Sequence, residues 1–408
     1  MTLSRRQFLN TAALTGLSLS MPRLLLANAE TDARFVFVIL RGALDGLAAV
    51  PPYADANYAR ARGQLTISSP SGAGGALKLD GMFSMHPSLS KLHARYTAGE
   101  LAVIHAVASP YRERSHFDAQ DLLENGTRQP HGANDGWLNR SIAALPSARV
   151  HDSEQFALAF AQNVPLVLRG AKQVGSWAPS RMPDADSDTL RRIADMYAGN
   201  VYFSSRLQAA MSTDAMAAES GMENDMNARR DPLGNVGTIA SAAGRILNGS
   251  GARIAVIETN GWDTHANQGA ERGLLATRLG ALDSALDLLR TELGAAWKNT
   301  AVLVATEFGR TVAVNGTRGT DHGTGACAFL VGGAVKGGRV IADWPGLANS
   351  NLHEGRDLKP TADLRSLFKG VLLDHMRLDE AHLEAKVFPD SKVAKPMSGL
   401  IKDRKSVV

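Results

Sequence analysis

Carboxylates and imidazoles gather at four places in this 408-residue chain, each beside glycine and next to a short apolar run. Asp45 lies in Arg41-Gly42-Ala43-Leu44-Asp45-Gly46, and Asp263 and His265 lie in Gly261-Trp262-Asp263-Thr264-His265. Glu307 opens Glu307-Phe308-Gly309-Arg310, and Asp321 and His322 stand in Gly319-Thr320-Asp321-His322-Gly323. Asp, Glu and His are the ligands that a borderline divalent ion such as zinc accepts. Glycine beside them lets the backbone turn tightly. Taken singly, each pattern has a plain structural reading as a turn, a loop carboxylate or a hydrogen-bonded histidine. Glu307 is the least plain, because a carboxylate directly after an apolar strand is costly unless paired or metal-bound. The joint pattern points to a metal site with Asp45, Asp263, His265, Glu307, Asp321 and His322 as candidate ligands.

Ser115 precedes a predicted helix, His116 to Glu124, and serine is a favoured N-cap. The same position suits catalysis. A hydroxyl at a helix start sits where backbone N–H groups favour anions, and opposite metal ions it can ionise and attack phosphorus or sulfur. Arg112 and Arg114 are placed to hold an anionic substrate through paired hydrogen bonds, and His116 is the third expected substrate-binding group. Asp118 and Asp121 read as helix-surface groups, and the remaining histidines read as structural.

These groups need elements to position them. Short β-branched runs at Phe35–Leu40, Leu101–Ile104, Ile254–Ile257, Val302–Ala305 and Ala328–Val331 read as strands buried on both faces. Val164–Leu168 is a weaker strand, because Pro165 suits a strand start or an edge. Helical spacing runs from Gly269 to Leu293 and from Thr361 to Leu378. Strands alternating with helices predict a mostly parallel sheet covered on both faces, and ligands bind such sheets beyond the carboxyl ends of the strands. The motifs above sit at those ends. The stretch 147–235, rich in Ala, Ser, Asp and Met with helical segments at Ser187–Ala198 and Val201–Met211, reads as a mostly helical insertion.

The first residues give an address. Ser4-Arg5-Arg6-Gln7-Phe8-Leu9, an apolar stretch and Ala27-Asn28-Ala29 form a twin-arginine signal peptide over residues 1–29. The expected partner there is the twin-arginine export machinery, and the destination is the periplasm or the exterior. The apolar part is too short to be a stable membrane anchor. Residues 1–29 hold three of the 44 Lys and Arg and none of the 40 Asp and Glu, leaving a formal net charge of about +1. With no long basic run, nucleic-acid binding is not expected. Cys327 is the only cysteine, so no internal disulfide forms. Its apolar surroundings suit a buried small side chain.

The ordered set Arg41 to Leu47 (Arg-Gly-x-x-Asp-Gly-Leu), Ser115 to Asp121 (Ser-His-Phe-Asp-x-Gln-Asp), Trp262 to Gln268 (Trp-Asp-Thr-His-x-Asn-Gln), Glu307 to Thr311 and Gly319 to Gly325 resembles the DUF1501 family. That family resembles a remote branch of the alkaline phosphatase/sulfatase superfamily. The resemblance implies an alkaline phosphatase-like three-layer α/β sandwich over residues 30–408, with a central mostly parallel sheet. It implies one or two divalent ions, zinc foremost, and a hydroxyl nucleophile at Ser115 acting on an anionic phosphate or sulfate ester. Phe308 stands where the superfamily has a metal-binding histidine, so one ion site departs from the pattern. The alternative expectation is a non-catalytic, metal-stabilised binding or assembly protein on the same scaffold.

Overall fold

A computed structural model describes residues 32–71, 74–146, 150, 156–179, 187–219 and 235–403. The expected export signal, residues 1–29, lies outside them. Among the described residues are the strands β1 (Arg34–Leu40), β2 (Leu77–Lys78), β3 (Ser84–Met85), β4 (Leu101–Ala108), β5 (Ala157–Phe160), β6 (Gly175–Ser176), β7 (Ile254–Thr259), β8 (Thr300–Thr306), β9 (Ala326–Val331), β10 (Arg339–Ile341) and β11 (Ala362–Asp363). The helices that matter for the site and the two faces are α1 (Gly46–Ala49), α2 (Tyr58–Arg62), α3 (Ser90–Thr97), α4 (His116–Asn125), α5 (Trp137–Ala144), α6 (Ser187–Tyr197), α7 (Val201–Glu219), α8 (Val236–Gly249), α9 (Leu274–Leu293) and α10 (Leu364–Asp374).

The main sheet runs β10-β4-β9-β8-β1-β7-β5-β6, with β11 also pairing to β4. β1 lies at its centre, parallel to β7 and β8. Every residue of β1 is buried, as a strand covered on both faces requires. Its side chains alternate: Val36, Val38 and Leu40 join the core under α3, α8 and α9, and Phe35, Phe37 and Ile39 join the core under α5 and α10. The result is a three-layer α/β sandwich. α9 owes its place to leucines at helical spacing, with Leu275, Leu279, Leu282, Leu286, Leu289 and Leu293 all buried.

One strand departs from the parallel pattern, and it matters. β9 is antiparallel to both β4 and β8. Its beginning therefore lies at the end where β4 and β8 finish. The residues that lead into β9 meet the residues that follow β1, β4, β7 and β8.

Two expectations differ from the structure. Leu166–Leu168 is a 3-10 turn, not a strand. Val167 and Leu168 bury themselves under the sheet, while the Asn139 side chain takes the Leu168 carbonyl, so the run is satisfied without strand pairing. The stretch 147–235 does contribute helices, α6 and α7, but its described part also adds β5 and β6 to the sheet beside β7. No described helix is long and apolar enough to cross a membrane.

Candidate metal centre

Three histidines from three loops point one ring nitrogen each at Asp263. His116 opens α4, Asp263 and His265 follow β7, and His322 precedes β9. Asp263 Oδ1 lies 3.0 Å from His265 Nε2 and 3.3 Å from His322 Nε2. Asp263 Oδ2 lies 3.5 Å from His116 Nε2. The Nε2 atoms of His265 and His322 are 3.0 Å apart. Ligand atoms of His116, Asp263 and His322 all fall within 4.8 Å of one another.

The other ring nitrogen of each histidine is already spent. His116 Nδ1 is 2.8 Å from Glu307 Oε1, His265 Nδ1 is 3.1 Å from Asp321 Oδ1, and His322 Nδ1 is 3.1 Å from the Arg114 carbonyl. A carbonyl or an ionised carboxylate only accepts, so each Nδ1 carries the hydrogen. When the rings are neutral, each turns a bare lone pair from Nε2 toward the Asp263 carboxylate. Lone-pair atoms so close repel one another unless a proton or a metal cation sits among them. His116 Nε2 is buried with no hydrogen-bond partner, which sharpens the point. Four ligands bound tetrahedrally at zinc distances stand about 3.3 Å apart, and the three Asp263–histidine separations and the His265–His322 separation bracket that value. The donor set fits a divalent ion of the zinc kind. An Nδ1–H donated to a carboxylate or carbonyl is also the usual support of a metal-ligating histidine.

The surroundings hold this arrangement. Glu307 is fully buried and accepts from the Gly42 amide at 2.8 Å, from His116, from Gln120 at 3.1 Å and from the Thr306 hydroxyl at 2.8 Å. Burial pushes its carboxyl up, but these donors, His116 foremost, outweigh it and hold Glu307 below the usual glutamate range. The same bond to Glu307 raises the His116 imidazole. Burial, then the nearby His116, pushes His322 down. Asp263 is raised by partial burial and lowered more strongly by the Arg310 guanidinium, which donates to Asp263 Oδ1 and to the Thr320 carbonyl. Asp321 is held low chiefly by the Asn315 amide, 3.0 Å away.

Gly42 shows how tightly the loops pack. Its φ is +117°, and a Cβ there would lie 2.6 Å from the Asp263 amide nitrogen. Only glycine lets the turn after β1 press on the Asp263 loop.

Not every expected residue reaches the cluster. Asp45 caps α1 by accepting from the Leu47 and Ala48 amides. Its other oxygen takes the buried Arg62 at 2.5 Å and Gln268 at 2.7 Å. All its acceptor capacity faces protein donors, so it stands outside the converging set. Glu307 and Asp321, expected as ligands, stand behind His116 and His265 instead. His116, expected to bind substrate, stands among the ligand atoms. Arg112 donates from Nη1 to the carbonyls of Ser109 and Tyr111, and Arg114 is ion-paired with Glu354 and Asp357. Ser115 sits at the N-cap of α4, but its side chain makes no cap bond; it meets the Tyr111 phenol. Phe308 is buried and stacks on His116 with centroids 4.8 Å apart, walling the cluster rather than binding in it.

Arg310 and Gln268 stand inside the Glu307 and Trp262–Gln268 motifs, but sequence reasoning gives neither a role, and Asp357 lies in no motif. Gln268 links Asp45 to Thr264 and Thr320 through its amide, joining the buried Arg62 pair to the Arg310 loop.

Solved structures similar to the chain include the C-terminal periplasmic domain of EcEptC from Escherichia coli in complex with Zn, at TM-score 0.38 and 9% identity, covering 74% of this chain and 72% of that one. They also include the phosphonate monoester hydrolase of Agrobacterium radiobacter, at TM-score 0.40 and 10% identity, covering 85% and 74%. Ps i-CgsB in complex with k-i-k-neocarrahexaose matches at TM-score 0.40 and 11% identity, covering 89% and 77%. No curated protein matches the chain. The family described as "Protein of unknown function (DUF1501)" matches residues 32–388, and this chain belongs to it.

Proposed function

We propose that this protein hydrolyses phosphate or sulfate esters with one divalent ion, zinc foremost, held by His116, Asp263, His265 and His322. One observation carries the reading: three imidazoles, each with Nδ1 bound to an acceptor, turn Nε2 onto one carboxylate. A divalent ion supplies Lewis acidity to an ester oxygen when bound. The chain's own groups do the rest. Glu307 and Asp321 orient two of the rings, and Arg310 holds Asp263. Ser115, whose hydroxyl is not spent on capping α4, is the proposed nucleophile. Its oxygen bonds to phosphorus or sulfur as the bond to the leaving alkoxide breaks, the hydroxyl proton passes to that alkoxide to give the free alcohol, and water then hydrolyses the serine ester and restores the hydroxyl. Asp45 is committed to Arg62, which supports one ion rather than two. Twin-arginine export to the periplasm or exterior, with removal of residues 1–29, belongs to the same proposal.

A second reading has its own support. Arg114 is paired with two carboxylates and Arg112 spends one nitrogen on two carbonyls, which weakens the expected two-arginine anion clamp. That favours a non-catalytic, metal-stabilised binding or assembly protein.

The first test is elemental analysis of the exported mature protein, for wild type and for Asp263→Ala and His322→Ala. About one ion per chain, lost in both variants, supports the site. No bound ion, even after reloading, sinks both readings. With the ion present, turnover of aryl phosphate or sulfate esters that Ser115→Ala abolishes supports the hydrolase. Metal without turnover supports the second reading.

A further inference from the structure

His322 is held from outside the metal cluster by a strained turn. Arg114 has φ +62° and Glu354 has φ +54°, the left-handed region that side chains with a Cβ avoid. An ion-paired pair of turns joins them. Arg114 Nε lies 2.8 Å from Asp357 Oδ2, and Arg114 Nη2 lies 2.5 Å from Glu354 Oε2. Asp357 has no exposure, and its second oxygen makes no hydrogen bond; the approach of Arg356 Nε at 3.7 Å is its remaining polar contact. A carboxylate buried this way depends on its guanidinium partner. The turn that carries Asp357 is closed by His353 and Asp357, each donating its amide to the other's carbonyl.

Both turns then reach His322. The Arg114 carbonyl accepts from His322 Nδ1 at 3.1 Å, and Arg356 donates to the His322 carbonyl at 2.5 Å. Unlike His116 and His265, whose Nδ1 atoms meet carboxylates, His322 relies on a single backbone carbonyl in a conformation its own residue disfavours.

We propose that Arg114 is a positioning residue: its ion pair with buried Asp357 holds the left-handed turn whose carbonyl fixes His322 as the Nδ1–H tautomer, leaving Nε2 bare toward Asp263. The consequence for metal affinity rests on the metal reading above; the consequence for the tautomer does not. The sequence suggested substrate binding for Arg114, and the geometry gives it this work instead.

The test compares Arg114→Ala, Arg114→Gly and Arg114→Lys with wild type in the mature protein. One readout is nitrogen-15 NMR of the His322 ring in metal-free protein at mildly alkaline pH, which identifies the tautomer. The other is Co²⁺ titration followed by visible absorption. Wild type is expected as Nδ1–H. Arg114→Ala loses the ion pair but keeps the strain, so its ring should shift toward Nε2–H and bind Co²⁺ roughly ten- to a hundredfold more weakly. Arg114→Gly loses the same ion pair but not the preferred backbone, so it should fall between Ala and wild type. Arg114→Lys keeps a cation facing Asp357 and should retain the wild-type tautomer. A role confined to stability would lower melting temperatures without moving the tautomer, and that outcome overturns the proposal. So does a Gly variant as impaired as Ala, or a Lys variant that loses the Nδ1–H form. A wild type that takes up no Co²⁺ overturns the metal reading, and the tautomer comparison still decides the role of Arg114.

Discussion

Glu307 is sealed from solvent, yet its two oxygens meet four donors, among them the Nδ1–H of His116. It acts on the candidate ion through another residue. Replacing it by glutamine keeps the volume and removes the charge. The amide's N–H₂ can then face His116 Nδ1 and drive the proton to Nε2, where it confronts Asp263. Because the bond to Glu307 is what chiefly raises His116, the His116 pKa in metal-free Glu307→Gln should fall relative to wild type. Metal affinity should drop roughly ten- to a hundredfold. An NMR titration of the ring and a Co²⁺ titration check both, and an unmoved His116 pKa would show that the pairing does not set its charge. The sequence located this acid because a carboxylate after an apolar strand is expensive. It did not reveal that Glu307 stands behind His116, since that depends on where the α4 start falls in space. For the same reason Asp45 could be found but not placed: its partner Arg62 is brought to it by α2, and no spacing rule predicts that pairing.

At the scale of elements, the buried strands were legible because β1, β4, β7, β8 and β9 each contain a continuous apolar run. β5 and β6 were not, being four and two residues long with nothing but small and apolar residues to distinguish them. The reversed direction of β9 was also hidden, although it is what delivers Asp321 and His322 to the others. The loops around the site are joined backbone to backbone. Ala266 bridges Arg318, and Arg310 bridges His322. Gly319 marks one close contact, since a Cβ there would stand 2.3 Å from the His265 carbonyl carbon. Gly319→Ala should therefore spread the His265 loop from the Asp321–His322 loop. The expected cost is about 1–3 kcal/mol of stability, with weaker Co²⁺ binding and unchanged far-ultraviolet dichroism. A variant with wild-type melting temperature and affinity would mean that the two loops accommodate the methyl group freely, and that their close packing does not hold the site.

The whole molecule should be acid-sensitive for a reason remote from the site. His105, in the middle of β4, is fully buried between Phe83 and Trp344. Its Nε2 faces the Val50 carbonyl at 3.0 Å, and its Nδ1 accepts the Ala106 amide at 2.8 Å. The neutral ring satisfies both contacts, whereas a second proton on Nδ1 would face a donor. Burial accordingly pushes the His105 pKa down to about 4. His86 repeats the pattern, with Nε2 on the Ala270 carbonyl and Nδ1 accepting the Ser88 amide, and burial lowers it too. Above a pH of about 6.5 neither folded nor unfolded His105 carries a proton, so stability does not depend on it. Between there and about 4 only the unfolded chain gains one, so stability falls as pH falls. For His105 alone the loss by about pH 4.5 is roughly 2.5 kcal/mol. His105→Gln, whose amide can still donate toward Val50, should be less stable than wild type near neutrality but lose about that much less on acidification. Urea unfolding at about pH 7 and about pH 4.5 gives the comparison. Parallel losses in the two proteins would place the acid sensitivity elsewhere, with His86, whose lowered imidazole acts in the same pH window, as the next group to replace.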